Sequence, residues 1–393
     1  MSRSGRHPLA GRAAIAGVGE TDFSKRSGRS ELQLAAECTL AALRDCGLGP
    51  QDVNGFVSYS LDSTDEIELA RTLGCGDLSF FSVIPHGGGA ACAVVQQATM
   101  AVVSGVADVV VCWRALNGRS GQRYSQGVGG QIVTSDLVHW GWYMPHGLMT
   151  PASWTALAAR RYMHRYGATS EDLGRIAVTV RHHATTNPRA AFYGKPLTLE
   201  EHQASRFIAE PLHLYDCCQE TDGGVAVVVT SKERAQDLAQ APAVILAAAS
   251  GSGSDQEVMT SFYRNDLTEL PEARKVAEQL WAQSGMRPAD VGCAILYDAF
   301  TPNLLMQLDA FGFCGRGEAK DLVREGALAL DGRLPTNPHG GQLSEAYIHG
   351  MNGVAEGVRQ IRGTAANPVR DVAHVLVTAG TGVPTSGLLL GRA

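Results

Sequence analysis

Two tyrosines beside glycine-rich segments are the residues of this sequence with the clearest potential for chemistry. Tyr297 ends the apolar segment 293–297, and Tyr347 follows the glycine-rich turn 337–341. A phenol has an ordinary pKa of about 10, so each tyrosine is normally a proton donor at neutral pH. A role as base requires either that this pKa falls or that proton transfer is concerted. The pair therefore predicts acid–base chemistry, while packing with a satisfied hydroxyl is the alternative role of each ring.

Carboxylates and histidines lie close to these tyrosines in the sequence. Asp298 directly follows Tyr297, and Glu345 lies two residues before Tyr347. Such carboxylates would favour a protonated phenol or could themselves act as bases. Three histidines lie in the two glycine-rich turns or just beyond them: His86, His339 and His349. Each histidine is more commonly a structural hydrogen-bonding residue, but Asp298 and His86 join the two tyrosines as candidate catalytic residues.

The cysteines offer one candidate nucleophile. The sequence has nine, an odd number, and many lie inside apolar stretches. This usage is typical of reduced, mostly buried thiols in a reducing cytoplasm. No Cys/His spacing resembles a structural zinc site, and we expect no metal. Cys92 lies in the apolar segment 88–103, and because burial raises the pKa of a thiol, we expect it to be inert.

Composition excludes several function classes. The 393 residues are 45% hydrophobic and 18% charged, as in an ordinary soluble enzyme. A net charge of −6 predicts no polyanion-binding surface and so no nucleic-acid partner. No apolar run is long enough to cross a bilayer. Arg3, Arg6 and Arg12 are not followed by an apolar segment, so we expect a short mobile tail rather than a signal peptide.

One succession of elements occurs twice in the chain. In the first half a strand at 80–84 leads into the turn 85–89, an apolar helix at 88–103 and a strand at 108–113. The second half repeats strand, turn, helix and strand at 293–297, 337–341, 353–361 and 374–378. Additional elements are expected as strands at 13–19, 53–59, 225–230 and 243–249, and as a helix at 30–45 that Ser30 caps and Gly47 ends. Continuous apolar strands are typical of parallel sheets covered on both faces. The pattern predicts a duplicated α/β protein whose halves meet at two central buried helices.

A different region, about 117–210, separates the repeated elements. It begins with a cluster of aromatic residues, among them Trp140, Trp142 and Tyr143, and continues with helical patterns at 154–166 and 170–186. An aromatic insertion of this kind either covers a ligand or packs onto the core, and the sequence leaves both interpretations open. We predict an N-terminal half at 1–240, which includes this insertion, and a C-terminal half at 241–393.

Ordered motifs through nearly the whole chain resemble the thiolase superfamily, specifically its sterol-carrier-protein thiolase branch. The segment 17–23 (GVGETDF) resembles the opening strand and turn of that branch. The segment 216–224 (DCCQETDGG) is similar to its Cys-Pro-x-Thr-Asp-Gly motif, 297–301 (YDAFT) to its His-Asp-Cys-Phe-Ser motif, and 337–341 (NPHGG) to its Asn-Pro-x-Gly-Gly motif. The resemblance implies a duplicated thiolase fold, a five-layer αβαβα architecture with an inserted loop domain.

The side chains that perform thiolase chemistry in that family are replaced here. The nucleophilic cysteine of the first central helix corresponds to Gly88. The two family histidines correspond to Tyr297 and Tyr347, and the second cysteine falls near Thr378. The glycines remain, so backbone N–H groups at Gly88 and Gly380 are candidates for binding the thioester oxygen. Asn337 and His339 of the second turn are further candidate substrate-binding residues.

The resemblance is closest to bacterial thiolase-like aldolases that remove steroid side chains. It implies retro-aldol cleavage of a 17-hydroxy-steroid 20-carboxyl-CoA into a 17-ketosteroid and propionyl-CoA, with Tyr297 and Tyr347 as catalytic residues. It also implies a homodimer flanked by a small OB-fold partner, often fused to a hydratase, and no cofactor beyond the CoA of the substrate. Two alternatives remain open: a thiolase-type acyltransferase that uses Cys92, and a non-catalytic acyl-CoA or sterol-binding protein. Which tyrosine is acid and which is base is also open.

Overall fold

A computed structural model describes residues 7–59, 64–84, 86–121, 123, 125, 140–256, 262, 264–382 and 385–393. Its strands are β1 (Ala13–Glu20), β2 (Gly55–Tyr59), β3 (Phe80–Ile84), β4 (Val109–Asn117), β5 (Phe207–Ala209), β6 (Leu212–His213), β7 (Asp222–Ser231), β8 (Ala243–Gly251), β9 (Cys293–Ile295), β10 (His374–Ala379) and β11 (Thr385–Gly391). Its helices are α1 (Glu31–Cys46), α2 (Glu66–Leu73), α3 (Ala91–Val103), α4 (Trp140–Tyr143), α5 (Pro151–Tyr166), α6 (Ser170–Thr185), α7 (Leu199–Ala204), α8 (Lys232–Gln236), α9 (Pro271–Ser284), α10 (Thr301–Ala310), α11 (Ala319–Arg324) and α12 (Met351–Arg362). Within the described residues, none of these helices has the length and apolar character needed to span a membrane.

Nine of the described strands form one sheet in the order β3-β2-β4-β7-β1-β8-β11-β10-β9, and β5 and β6 form a separate two-stranded sheet. The strands of the two halves join where β1 pairs with β8, and this pairing is short. Pairs β2/β3, β2/β4 and β9/β10 are parallel, whereas the other pairs in the sheet are antiparallel. The expectation of a parallel sheet was therefore wrong for most of it. The continuous apolar strands arise because helices cover both faces of a mixed sheet.

Helices lie between and outside the two groups of strands. The central helix α3 contacts β2 and β7 of one half and β8 and β11 of the other, and α12 lies beside it against β9 and β10. Helix α1 packs on the outer side of β1, β4 and β7, and α9 packs on β8 and β11. This arrangement confirms the predicted α/β fold, in which two buried helices lie where the halves meet.

The capping residues and apolar runs in the sequence mostly predicted the helices and strands correctly. Ser30 caps α1 by accepting a hydrogen bond from the Gln33 amide, and Gly47 ends that helix in a left-handed conformation. Helix α3 begins later than expected, because residues 88–90 form a turn of 3₁₀-helix. Its expected burial on every face was also wrong at Met100, which is 50% exposed.

The predicted insertion at about 117–210 contains α4 to α7 and β5 in its described part. His139 and most of the segment before it lie outside the described residues. Trp142 is exposed, whereas the ring of Tyr143 packs edge-on against Phe262. The predicted boundary between residues 240 and 241 falls between α8 and β8, and the division into two domains stays a prediction.

Candidate active site

A cavity of about 250 Å³ lies between the two central glycine-rich segments and the insertion. Its lining includes Gly88, Tyr297, Tyr347, His349 and Gly380, together with a charged group of Arg264, Asp266, Glu269 and Glu272. Most of the remaining wall is apolar and includes Trp154 and Ala158 of α5, Leu267, Leu270, Phe300 and Met306. Helix α5 of the insertion therefore forms part of the wall.

The hydroxyl groups of Tyr297 and Tyr347 form a hydrogen bond. Their oxygen atoms are 3.1 Å apart, and either can be the donor. Tyr297 is 6% exposed and Tyr347 is half-buried, so the pair lies at the inner end of the cavity. A hydrogen-bonded pair of phenols can accept a proton at one oxygen and release one from the other. The two tyrosines follow different motifs of the second half of the chain, and the fold brings their reactive atoms together.

A closed loop of hydrogen bonds fixes the backbone of Tyr297. Its amide donates to the Thr378 hydroxyl (2.9 Å), which donates to the Gln307 side-chain oxygen (2.6 Å). The Gln307 amide group then donates to the Tyr297 carbonyl (2.7 Å). Thr378, where the family has its second cysteine, thus holds a tyrosine in place. Gln307 was missed in the sequence, since nothing distinguishes it from other polar residues of a helix.

Asn337 holds the residue that precedes Tyr297. Its side-chain oxygen accepts from the Leu296 amide (2.8 Å), and its side-chain nitrogen donates to the Leu296 carbonyl (2.9 Å). Asn337 is fully buried and adopts a left-handed φ of 50°. These contacts support a positioning role for Asn337, which is not among the residues that line the cavity.

Neighbouring chain segments position Tyr347. Its amide donates to the Thr221 hydroxyl (3.2 Å), and it forms a short parallel bridge with Glu220. Glu220 in turn pairs with Arg123 at 2.6 Å. The Tyr347 ring meets the His349 ring edge to face, with centroids 4.9 Å apart. The motif at 216–224 therefore contributes to the site by supporting a tyrosine.

Gly88 and Tyr297 occupy adjoining space. A Cβ atom at position 88 would overlap the Tyr297 hydroxyl and lie 2.5 Å from the ring carbon that bears it. The turn that carries Gly88 is bound to β11, since the Ser386 hydroxyl donates to the Gly89 carbonyl (2.6 Å) and accepts from the Ala93 amide (3.1 Å). Glycine is therefore needed here because of the close approach of the ring.

Asp298 is buried directly behind Tyr297. One carboxylate oxygen accepts from the Gln342 amide at 2.7 Å, while the other has no hydrogen-bond partner among the described residues. Burial raises the pKa of Asp298 to about 7, against the lowering effect of its hydrogen bonds. Gly341 adopts a left-handed φ of 58°, and a Cβ there would overlap the Asp298 carboxylate. Asp298 does not line the cavity, so its predicted catalytic role would have to act through Tyr297.

The remaining predicted site residues lie at different depths. Gly380 lines the cavity after the end of β10, opposite the turn of Gly88. His86 is half-buried outside the lining, and burial lowers its pKa. His339 is buried away from the lining, 3.7 Å from Glu345, and burial lowers its pKa to about 3. The structure brings together Gly88, Gly380 and the two tyrosines, but neither His86 nor His339 joins them at the cavity wall.

Arg114 and His349 form a buried pair at this site. The Arg114 Nε–H donates to His349 Nδ1 at 3.0 Å, and both side chains are about 1% exposed. His349 is one of three histidines noted in the sequence near the glycine-rich turns, whereas Arg114 was missed there. The sequence contains a sign of its role, because Arg114 is a charged residue inside the apolar strand β4. A charge rarely occupies such a position without a partner.

Cys92 lies on α3, one turn beyond Gly88, and is fully buried. Its Sγ atom is directed at the Val377 carbonyl, 3.7 Å away. Burial raises its pKa far above the ordinary value, so the reactive thiolate is scarcely populated. Among the described residues, no cluster of three or more histidine, cysteine or acidic side chains is placed to hold a metal ion.

Comparison with known proteins agrees with this fold. Residues 251–390 match the family model of the thiolase C-terminal domain-like proteins. The chain is 61% identical to a "Steroid side-chain-cleaving aldolase" of Thermomonospora curvata, with 98% of both chains covered. It is also 61% identical to the "17-hydroxy-3-oxo-4-pregnene-20-carboxyl-CoA lyase" of Mycobacterium tuberculosis, over 98% of this chain and 100% of the other. A solved structure named "Ltp2-ChsH2(DUF35) aldolase" superimposes with a TM-score of 0.95 at 60% identity, covering 98% of this chain and 99% of that one.

The fold and the match over 251–390 define a thiolase-like protein. With 61% identity along almost its full length, the chain belongs to the steroid side-chain-cleaving aldolases of the thiolase superfamily. The family predicted from the sequence motifs is confirmed. Relatives of this family are carbon–carbon lyases by name, so the chain is a lyase rather than an acyltransferase.

Proposed function

We propose that this protein cleaves a 17-hydroxy-steroid 20-carboxyl-CoA by a retro-aldol reaction, giving a 17-ketosteroid and propionyl-CoA. The observation that carries the proposal is the Tyr297–Tyr347 hydroxyl pair at 3.1 Å in a cavity where Gly88 leaves room for the Tyr297 hydroxyl. The names of the two relatives at 61% identity support the same reaction and substrate.

The tyrosine pair accounts for every proton in this reaction. In a concerted relay, one phenol oxygen accepts the proton of the β-hydroxyl as its own proton passes across the 3.1 Å hydrogen bond to the second phenol, and the C–O bond becomes a carbonyl. The Cα–Cβ bond breaks, and its electron pair becomes the enolate of the propionyl thioester. In the same relay the second phenol receives that proton and releases its own to Cα, so both phenols are neutral before and after the reaction. No proton is gained or lost overall, and neither tyrosine needs to stay ionised between turnovers.

The backbone at Gly88 and Gly380 is proposed to stabilise the thioester oxygen. Both residues line the cavity, and Gly88 lies in the turn that opens into the buried helix α3. Amide N–H groups in such a position favour developing negative charge. Trp154, Phe300 and Met306 offer an apolar wall, as a fused-ring hydrocarbon requires.

One exposed apolar surface and one solved structure of a relative support a proposal about how this protein assembles. Edge strand β3 exposes Phe81 (57%) and Val83 (50%), and the half-exposed Met100 lies on α3, which contacts β3. An apolar edge strand is a ready surface for pairing with a second copy, and this supports a homodimer. The solved relative is named as a complex with a DUF35 partner, so we propose a small partner protein of that kind for this chain.

The test is turnover by the co-expressed complex on a panel of β-hydroxyacyl-CoA thioesters, including a 17-hydroxy-steroid thioester. Mass spectrometry should detect one ketone and one propionyl-CoA for each substrate consumed. The same rate in the presence of a chelator would support the expectation that the CoA of the substrate is the only non-protein group needed. Binding without release of ketone would instead favour the acyl-CoA-binding alternative.

A further inference from the structure

His349 lies in the cavity wall beside Tyr347, and its ring has a defined tautomer. Because the Arg114 Nε–H donates to Nδ1, that nitrogen carries the lone pair and Nε2 carries the ring proton. Burial, and then the charge of Arg114, lower the pKa of His349 well below its ordinary value. The imidazole therefore stays neutral and acts as a hydrogen-bond donor through Nε2 rather than as a base.

The backbone of His349 is held in a costly conformation. Its φ is 48°, in the left-handed region that non-glycine residues rarely adopt. The Tyr59 hydroxyl donates to the His349 carbonyl at 3.1 Å, and the Arg114 guanidinium lies 5.6 Å from the centre of the Tyr59 ring. Two buried side chains from neighbouring strands thus fix both the backbone and the ring of His349. Such strain is kept where the direction of a side chain matters.

We propose that His349 is a catalytic hydrogen-bond donor to the thioester oxygen, and that Arg114 is the positioning residue that holds it in the donating tautomer. The inference rests on the proposed retro-aldol function and extends it. As the Cα–Cβ bond breaks, negative charge moves to the thioester oxygen, and the Nε2–H bond strengthens toward that oxygen without transferring its proton. The backbone N–H groups of Gly88 and Gly380 would contact the thioester oxygen. The His349 side chain would contact the same oxygen from the part of the cavity that holds the two tyrosines.

Three substitutions of His349 separate a donor from a structural ring. His349→Asn keeps an oxygen that can accept from Arg114, but its side chain is too short to place an N–H group where Nε2 lies. His349→Gln keeps a side-chain N–H at that reach, and His349→Phe keeps only the ring volume. We expect kcat to fall about 10²- to 10³-fold for Phe and Asn, with little change in KM, and clearly less for Gln. A purely structural histidine would give the opposite order, with Asn the best tolerated.

Exchange of the Cα protons of propionyl-CoA in D₂O isolates this step from steroid cleavage. The complex of chain and partner should catalyse the exchange, because it forms the same enolate from the product side. His349→Phe should lose exchange and cleavage by similar factors. His182→Asn, at an exposed histidine outside the cavity, is the matched control and should leave both rates unchanged.

Arg114 is tested through the tautomer of His349. In ¹⁵N-histidine-labelled protein, the signal that disappears in His349→Gln should have the shifts of an Nε2–H tautomer. Arg114→Lys should weaken that preference and lower kcat in the same direction, with the circular dichroism spectrum and Tm showing that the variant is folded. If Arg114→Lys does not fold, the tautomer of His349 in the wild-type protein provides the test. A signal from an Nδ1–H tautomer would overturn the assignment of His349 as a donor through Nε2.

The outcomes distinguish the two proposals. Failure of the wild-type complex to release ketone from any substrate would remove the proposed function. Cleavage by wild type together with unchanged kcat in His349→Phe would overturn only the role of His349.

Discussion

The Tyr297 hydroxyl lies where the side chain of residue 88 would otherwise begin. A Cβ at position 88 would overlap that hydroxyl, so a cysteine there would displace the Tyr297 ring from its present position. The loss of the nucleophile and the gain of the phenol are therefore one structural change. The site supports proton transfer in the space where a thiolase holds its thiol.

This relationship predicts an energetic coupling between positions 88 and 297. Gly88→Ala should lower the free energy of unfolding by about 1–3 kcal/mol, because the methyl group displaces the Tyr297 ring. In a Tyr297→Ala background the same substitution should cost much less, since the space is then empty. Urea denaturation of the four proteins of the cycle measures the coupling. Equal costs in both backgrounds would contradict the overlap.

Each tyrosine hydroxyl is expected to be needed for turnover. Tyr297→Phe and Tyr347→Phe each keep the ring and remove one side of the 3.1 Å hydrogen bond. We expect kcat to fall about 10²- to 10⁴-fold, while the stability changes by only about 1 kcal/mol. Because the two oxygens act as one relay, the double variant should be little slower than either single variant.

Steady-state kinetics on the steroid thioester measures these effects, with two controls. Tyr193→Phe, at an exposed tyrosine, should retain full activity. Cys92→Ala should also retain it, since that thiol is buried and points at a backbone carbonyl. Loss of activity in Cys92→Ala with normal turnover in both tyrosine variants would instead support an acyl-enzyme route.

The motifs that carry the two tyrosines could be predicted from the sequence, but the contact between the tyrosine hydroxyl groups could not. Replacement of family histidines by Tyr297 and Tyr347 was visible in the motif at 297–301 and shortly after the motif at 337–341. That the two hydroxyls touch depends on Thr378 and Gln307, which are far apart in the chain and have no pattern of their own. His86 was included because its turn resembles the second one, yet local similarity does not determine which side chain reaches the cavity.

Element types were easier to predict than strand directions. Capping residues and apolar runs act over a few neighbours, so α1, β3 and β10 were found close to their observed bounds. The antiparallel pairing of β4, β7 and β1 depends on long-range packing, and a strand covered on both faces has the same apolar pattern in either direction.

Asp298 predicts a specific pH dependence of stability. Its pKa is raised to about 7 in the folded protein, whereas an aspartate in an unfolded chain has a pKa of about 4. Between these values the unfolded state has released the proton and the folded state has kept it, so this group lowers stability as the pH rises from about 4 to 7. The total effect is about 4 kcal/mol at most, and above pH 7 it changes little.

Asp298→Asn tests this directly, because the amide keeps an oxygen for the Gln342 N–H and cannot ionise. The difference in unfolding free energy between variant and wild type should shift in favour of the variant from pH 5 to pH 8. Asp77→Asn, at an exposed aspartate, is the control and should show no such trend. Parallel stability curves for Asp298→Asn and wild type would show that this carboxyl group does not titrate in that window.

The edge strand β3 gives a prediction about assembly that is separate from the chemistry. Phe81 and Val83 point outward on the same side of β3, which is the last strand of the sheet among the described residues, and a charge there would be desolvated when a second copy binds. Phe81→Glu and Val83→Glu should therefore shift the protein from dimer to monomer in sedimentation velocity, with the circular dichroism spectrum unchanged. Ile67→Glu places the same charge on an equally exposed residue of α2 and should leave the dimer intact. A wild-type protein that sediments as a monomer at micromolar concentration would exclude this edge as a homodimer interface.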